Sequence, residues 1–228
     1  FEECTELTSI TIPSSVTSIG DYAFGIMEVI GWGKGLEDVY YLGSEAEWAN
    51  IAIGSDNEPL TNATIHYNNS AIAWAIENGI TSETIETFAP DTSCTRSQIV
   101  TFIWRNAGSP EPTTTDNPFT DVSENDYYYN AVLWAVENGI ISGTSNTTFS
   151  PNETCTRAQA VTFLWRENGE PSVQGSAFSD VENDAYYAKA VAWAVENGIT
   201  LGTTNTTFSP NNNCTRGQIV TFLYRYMD

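Results

Sequence analysis

The chain has 228 residues, enough for one or two domains, and 41% hydrophobic with 12% aromatic content predicts a folded core. Its formal charge of −21, with 29 acidic against 8 basic residues, excludes the basic stripes that nucleic acid and anionic membrane surfaces require. No apolar run reaches the roughly 18 residues of a membrane-spanning helix, so no membrane insertion is expected.

The first residues, Phe1-Glu2-Glu3-Cys4, read as the middle of a motif, and a longer protein with upstream sequence is expected. Leu7 to Pro13 alternates like a short strand, Ser14 to Phe24 turns away and returns, and Leu36 to Tyr41 begins a second turn. Glu45 to Ile51 predicts a short helix and Thr64 to Tyr67 a last strand. Residues 1–68 thus read as the final coils of a solenoid, too short a stack to bury its own ends. His66, the single histidine, falls in the last alternating stretch as a strand residue, and a lone histidine builds no catalytic triad.

From about residue 70 the chain repeats itself at a period of about sixty residues, marked by Trp74, Trp134 and Trp193 and by Cys94, Cys155 and Cys214. Each repeat predicts helix, loop, helix. The first helix runs Ala71 to Ile80, Ala131 to Ile140 and Ala190 to Ile199, with Gly79, Gly139 or Gly198 at the left-handed position that ends it. A loop of Thr, Asn, Phe and Pro follows, and the second helix starts at Cys94-Thr95-Arg96-Ser97-Gln98, Cys155-Thr156-Arg157-Ala158-Gln159 or Cys214-Thr215-Arg216-Gly217-Gln218. The Thr and the Gln three residues on are the two halves of a capping box. The cysteines read as buried free thiols, since three equivalent positions cannot all pair and no C-x-x-C spacing offers a zinc site.

The arginines need a separate explanation. The eight basic residues are Lys34, Lys189 and six arginines, all six in the second helices. Arg105, Arg166 and Arg225 lie near the helix C-terminus, where a cation is favoured. Arg96, Arg157 and Arg216 fall at the first helical position, against the dipole in every copy, which points to ligand binding or to a salt bridge with a neighbouring repeat. Arg96 shares a helical stripe with Ile99, Val100 and Ile103, so it is expected to point into a seam between repeats.

Pro- and Gly-containing linkers, Gly108 to Thr115 and Gly169 to Gly175, separate the repeats. Each is followed by an entry segment, Phe119-Thr120-Asp121-Val122 or Phe178-Ser179-Asp180-Val181, and then by Tyr127-Tyr128-Tyr129 or Tyr186-Tyr187. Asp121 and Asp180 are candidates to cap a turn, pair with an arginine or contact a ligand. The tyrosines are candidates for core or for a sugar-stacking platform.

These segments, together with Gly143-Thr144, Gly202-Thr203, Thr148 to Pro151 and Thr207 to Pro210, resemble surface-layer homology (SLH) domains. Residues 4–13 and 16–24 resemble the BspA-like leucine-rich repeats of bacterial surface proteins. The two resemblances imply a mixed fold. Residues 69–228 form a mainly α-helical, pseudo-threefold SLH domain (repeats about 69–108, 117–168 and 176–228), preceded over 1–68 by the β-rich end of a leucine-rich-repeat solenoid. They imply a non-enzymatic, extracellular protein at the bacterial cell surface or cell wall. The implied role is non-covalent anchoring to secondary cell-wall polysaccharide, often pyruvylated, in grooves between repeats. The family's glycan-contacting arginine falls on Arg96, Arg157 and Arg216. Asp121 and Asp180 join them as candidates, with Gly143 and Gly202 letting backbone approach a sugar.

The chain departs from the family where Gln98, Gln159 and Gln218 replace a glutamate. Repeat one also lacks the entry segment, and it carries Thr81-Ser82-Glu83 where the others have Ile141-Ser142-Gly143 and Thr200-Leu201-Gly202. Glu83 would repel an acidic glycan, so the groove depending on repeat one is expected to be weak or lost. The other reading is self-assembly into a surface layer or filament, with self-association of the acidic surface bridged by cations. Asp121, Glu124, Asp126, Asp180, Glu182 and Asp184 are then candidate calcium ligands, although their spacing forms no recognised calcium loop. No other cofactor is implied.

Overall fold

The computed structural model describes residues 7–25, 36–67, 69–173 and 178–227. Cys4 and the start of the leucine-rich-repeat match lie outside the described residues, as do Lys34 and the Gln174-Gly175 end of the second linker. The chain forms two compact units, 1–73 and 74–228.

In the first unit, β1 (Ser9–Ile12), β3 (Asp38–Tyr41) and β5 (Thr64–His66) pair in parallel, and β2 (Ser18–Ile19) pairs in parallel with β4 (Ala52–Ile53). Short helices α1 (Glu45–Trp48) and α2 (Glu58–Asn62) fill the returns. The register aligns Ile10 with Val39 and Ile65, so successive turns of chain present apolar side chains to one core. That core holds Ile12, Ile19, Phe24, Leu36, Val39, Tyr41, Ile51 and Leu60. Buried Asn57, just before α2, satisfies backbone groups where the chain turns. Its Oδ1 accepts from the Phe24 amide at 2.9 Å, and its Nδ2 donates to the carbonyls of Gly20 and Gly54. A buried amide with its partners in place ties two turns together without an unsatisfied polar group. His66 is a strand residue, stacked on Tyr40 and 2.8 Å from Asp38.

The second unit holds the helix pairs of the repeats: the part of α3 (Ser70–Glu77) from Trp74 on with α4 (Arg96–Asn106), α5 (Tyr129–Glu137) with α6 (Arg157–Glu167), and α7 (Ala188–Glu196) with α8 (Arg216–Met227). Packing runs between repeats: α4 lies on α5, α6 on α7 and α4 on α8, and Trp74 meets Tyr224 with ring centroids 5.8 Å apart. Thr95, Thr156 and Thr215 cap their helices, each exchanging hydrogen bonds with the Gln three residues later. Gly139 has φ 69°, a left-handed conformation that lets the Ile140 amide bond back to Ala135 and buries the Ile140 side chain.

The three cysteines close the unit into a ring. Cys94 donates its amide to Cys214, Cys155 to Cys94, and Cys214 to Cys155, at 2.8 to 3.0 Å. All three are free thiols with no exposed surface. Burial holds the Cys155 and Cys214 thiols up at about 12 and pushes Cys94 higher still. They are therefore neutral side chains at the shared core of the repeats.

Candidate functional site

The loop between the helices of one repeat receives the second helix of the preceding repeat. The amides of Arg96 and Ser97 donate to the carbonyls of Glu153 and Pro151, those of Arg157 and Ala158 to Asn212 and Pro210, and those of Arg216 and Gly217 to Thr92 and Pro90. Amides left without partners at a helix start are thus satisfied by the neighbouring repeat.

The arginine side chains follow the same route. Arg96 Nε donates to the Phe149 carbonyl at 2.9 Å, Arg157 Nε to Phe208 at 2.9 Å, and Arg216 Nε to Phe88 at 2.8 Å. Each guanidinium lies over the ring of that same Phe, 4.7 to 4.8 Å from its centroid. All three are buried, and desolvation lowers the pKa of Arg96 and Arg157. This geometry resolves the adverse dipole, because the cation is carried away from its own helix onto carbonyl oxygens of the next repeat.

The remaining nitrogens distinguish the three copies. Arg96 Nη2 donates to the Ser142 carbonyl at 2.8 Å. Arg216 Nη2 is paired with the Glu83 carboxylate. Arg157 Nη2 is buried without a partner among the described residues.

The candidate carboxylates also have internal partners. Asp121 accepts from the amides of Phe149 and Ser150 at 2.8 Å, and Asp180 accepts from those of Phe208 and Ser209 at 2.8 and 2.7 Å. Of the open readings, these bonds fit the turn cap. Ser150 and Ser209 are left-handed at φ 59° and 57°, and the carboxylate holds that turn so that its Phe carbonyl faces the arginine. Gly143 is required by its own loop. A Cβ there would stand 2.4 Å from the Ser145 carbonyl and 2.6 Å from the Phe119 ring. Gly202 is confined in the same way by Phe178 and by the Thr204 and Thr207 carbonyls. Arg96 and Arg157 thus meet a repeat whose loop is framed by Asp121 and Gly143 or by Asp180 and Gly202, while Arg216 meets repeat one, which supplies Phe88 and Glu83 instead.

Between Arg96, the Ser142–Thr144 loop and α6 lies a cleft of about 270 Å³. It is also lined by Gln159, Arg166 and Tyr186, the last 61% exposed. Tyr186 was among the tyrosines the sequence offered as core or as a sugar-stacking platform, whereas Arg166 carried no assigned site role. Glu170, four residues after Arg166, was the available signal, because Arg105 is followed at that spacing by Ser109.

The expectation for repeat one divides in two. Its arginine, Arg96, lines an open cleft, while its loop delivers Glu83 to Arg216. The proposed calcium carboxylates are not gathered, since Asp121 and Asp180 are bonded to backbone amides and Asp126 accepts from Ser123. Among the described residues no three His, Cys, Asp or Glu side chains are placed to hold a metal ion, and no helix is long and apolar enough to cross a membrane.

Residues 118–161 and 177–220 match the S-layer homology domain. An endoglucanase from Bacillus sp. (strain KSM-635) is 40% identical over 109 residues, 47% of this chain and 11% of that protein. The surface-layer 125 kDa protein of Lysinibacillus sphaericus is 38% identical over 108 residues, 47% of this chain and 9% of that protein. The middle cell wall protein of Brevibacillus brevis is 30% identical over 140 residues, 60% of this chain and 12% of that protein. The chain thus spans only about a tenth of the length of these relatives.

Proposed function

We propose that the helical repeats anchor a bacterial surface protein non-covalently to the cell wall by binding secondary cell-wall polysaccharide in inter-repeat grooves. The location is extracellular, at the cell surface or cell wall, in line with the S-layer homology repeats and with relatives named for the surface layer and the cell wall. The observation that carries the binding reading is the cleft at Arg96, where two of the chain's few cations face one opening in a protein of net charge −21. An acidic polymer, with pyruvate ketal carboxylates as the proposed groups, would meet guanidinium there rather than the repulsive bulk surface.

On this reading the chain is a binding module and not a catalyst. The match to an endoglucanase takes in 11% of that protein. Residues 69–228 are the proposed anchor, and 1–68 are the proposed end of a BspA-like leucine-rich-repeat region, in keeping with the parallel ladders and buried Asn57 of the first unit. Self-assembly into a surface layer or filament is the second reading, favoured by the surface-layer relative.

The test is binding of the chain to purified cell-wall sacculi before and after the secondary polysaccharide is removed. Retention by intact sacculi and loss on stripped ones is expected. Equal binding to both, or none by folded protein, would sink the anchor. Salt- or calcium-dependent association without glycan would favour assembly.

A further inference from the structure

The three arginines near the ends of the second helices, Arg105, Arg166 and Arg225, are not equivalent in place. Arg105 donates through Nη1 to the Ile80 carbonyl at 3.0 Å, and Arg225 donates to the Ile199 carbonyl at 3.5 Å. Each ties its helix to the end of the first helix of its own repeat. Arg166 makes no such bond among the described residues. Its ion pair there is Glu170 at 3.7 Å, with the glutamate side chain 56% exposed. A pair so long and so exposed contributes little and exchanges readily. Arg96, across the cleft, has already committed Nε and Nη2 to carbonyls. Of the two cations in the cleft, Arg166 has more donors to spare.

Tyr186 lines the same opening. It is 61% exposed, yet Tyr187 holds it edge-on, with centroids 5.0 Å apart and planes at 84°. An exposed aromatic face already fixed by a neighbour loses little freedom when a ligand covers it. The cleft of about 270 Å³ is near the lower end of small-ligand clefts, roughly 300–1,000 Å³, which suits one unit of a polymer and not a long stretch.

We propose that Arg166 and Tyr186 are the ligand contacts of the Arg96 cleft: Arg166 meets an acidic group of the glycan and Tyr186 carries the face of a sugar ring. Arg96 shapes the cleft and offers its remaining nitrogen. This rests on the anchoring reading above. The counterpart groove at Arg216 is excluded as an equal site, because Glu83 holds that guanidinium and places a carboxylate where an acidic sugar would enter. At the Arg157 groove, Leu201 is 70% exposed in the place that Ser142 occupies beside Arg96, and this side chain provides a probe of that groove.

The experiment measures retention of the full chain on Lysinibacillus sphaericus sacculi that keep their secondary polysaccharide, with stripped sacculi as the blank. Arg166→Gln and Tyr186→Ala are each expected to weaken binding about tenfold, the loss of one charge-assisted or stacking contact. Tyr186→Phe, Arg225→Gln and Leu201→Asp are expected to bind like the parent chain. Unchanged melting curves for Arg166→Gln and Tyr186→Ala would separate a lost contact from a lost fold, and the exposed Tyr186 keeps the test open if Arg166→Gln is unstable. A parent chain that binds while both variants bind equally well, or one whose binding is lost with Leu201→Asp, would overturn the assignment and leave the anchor standing. A folded parent chain that fails to bind would remove both.

Discussion

At the axis of the helical unit, Cys94, Cys155 and Cys214 each make the same amide bond to the preceding repeat. At the rim, Arg96, Arg157 and Arg216 share one bond to a Phe carbonyl and differ in the second. Arg96 finds the Ser142 carbonyl, Arg216 finds Glu83, and Arg157 Nη2 finds no partner among the described residues. The axis depends on backbone geometry that all three repeats reproduce. The rim differs at one short loop, which offers the Ser142 main-chain carbonyl to Arg96 and the Glu83 side chain to Arg216. Repetition therefore gives three copies of a scaffold whose second arginine bond differs from copy to copy.

The largest expected effect tests the uniformity of the axis. Burial holds the folded Cys155 and Cys214 thiols up at about 12 and raises Cys94 as well, against an ordinary value of about 8.5. A raised folded pKa gives stability that is complete below the unfolded value and is lost as pH rises toward the folded one. Each thiol should cost about 1.4 kcal/mol per pH unit above roughly pH 8.5. Denaturant unfolding at pH 8 and pH 10 would read a drop of several kcal/mol. Replacing all three cysteines by Val should flatten it, and the native thiols should resist alkylation at pH 8.

Next is the arginine framework. Arg157→Ala removes a buried cation from two aromatic rings and a carbonyl, and should cost about 3 kcal/mol by chemical denaturation. Arg166→Gln should cost under about 0.5 kcal/mol, because its pair is exposed. Similar costs for the two would erase the distinction between a framework arginine and a contact arginine.

Much of this framework was legible in the sequence. Thr95 with Gln98 announces a cap, Gly139 announces a helix end, and three equivalent cysteines cannot all pair. These signals act over a few residues. The bonds that explain the arginines do not: Arg96 reaches Phe149, and Arg216 reaches back to Phe88 across most of the unit. Helical periodicity gave the direction of Arg96, towards a seam, but not its partner. The dipole argument identified a real anomaly, which main-chain carbonyls of the next repeat account for before any ligand is invoked. Glu83 was legible as a departure, while the residue it would meet, Arg216, depends on how the ring closes.

Smaller effects sharpen the comparison at the rim. Asp121→Ala leaves two amides of a left-handed turn without their acceptor and should cost about 2 kcal/mol, read as a lowered melting temperature. Glu83→Gln should change stability by under about 1 kcal/mol, because the glutamate is 40% exposed.

The most direct test of the central claim, that three repeats make one competent groove, is the stoichiometry of binding. Titration calorimetry of the chain with short soluble fragments of secondary cell-wall polysaccharide should give one fragment per chain, and Arg166→Gln should weaken that single event. Two or three equivalent fragments per chain would contradict the account.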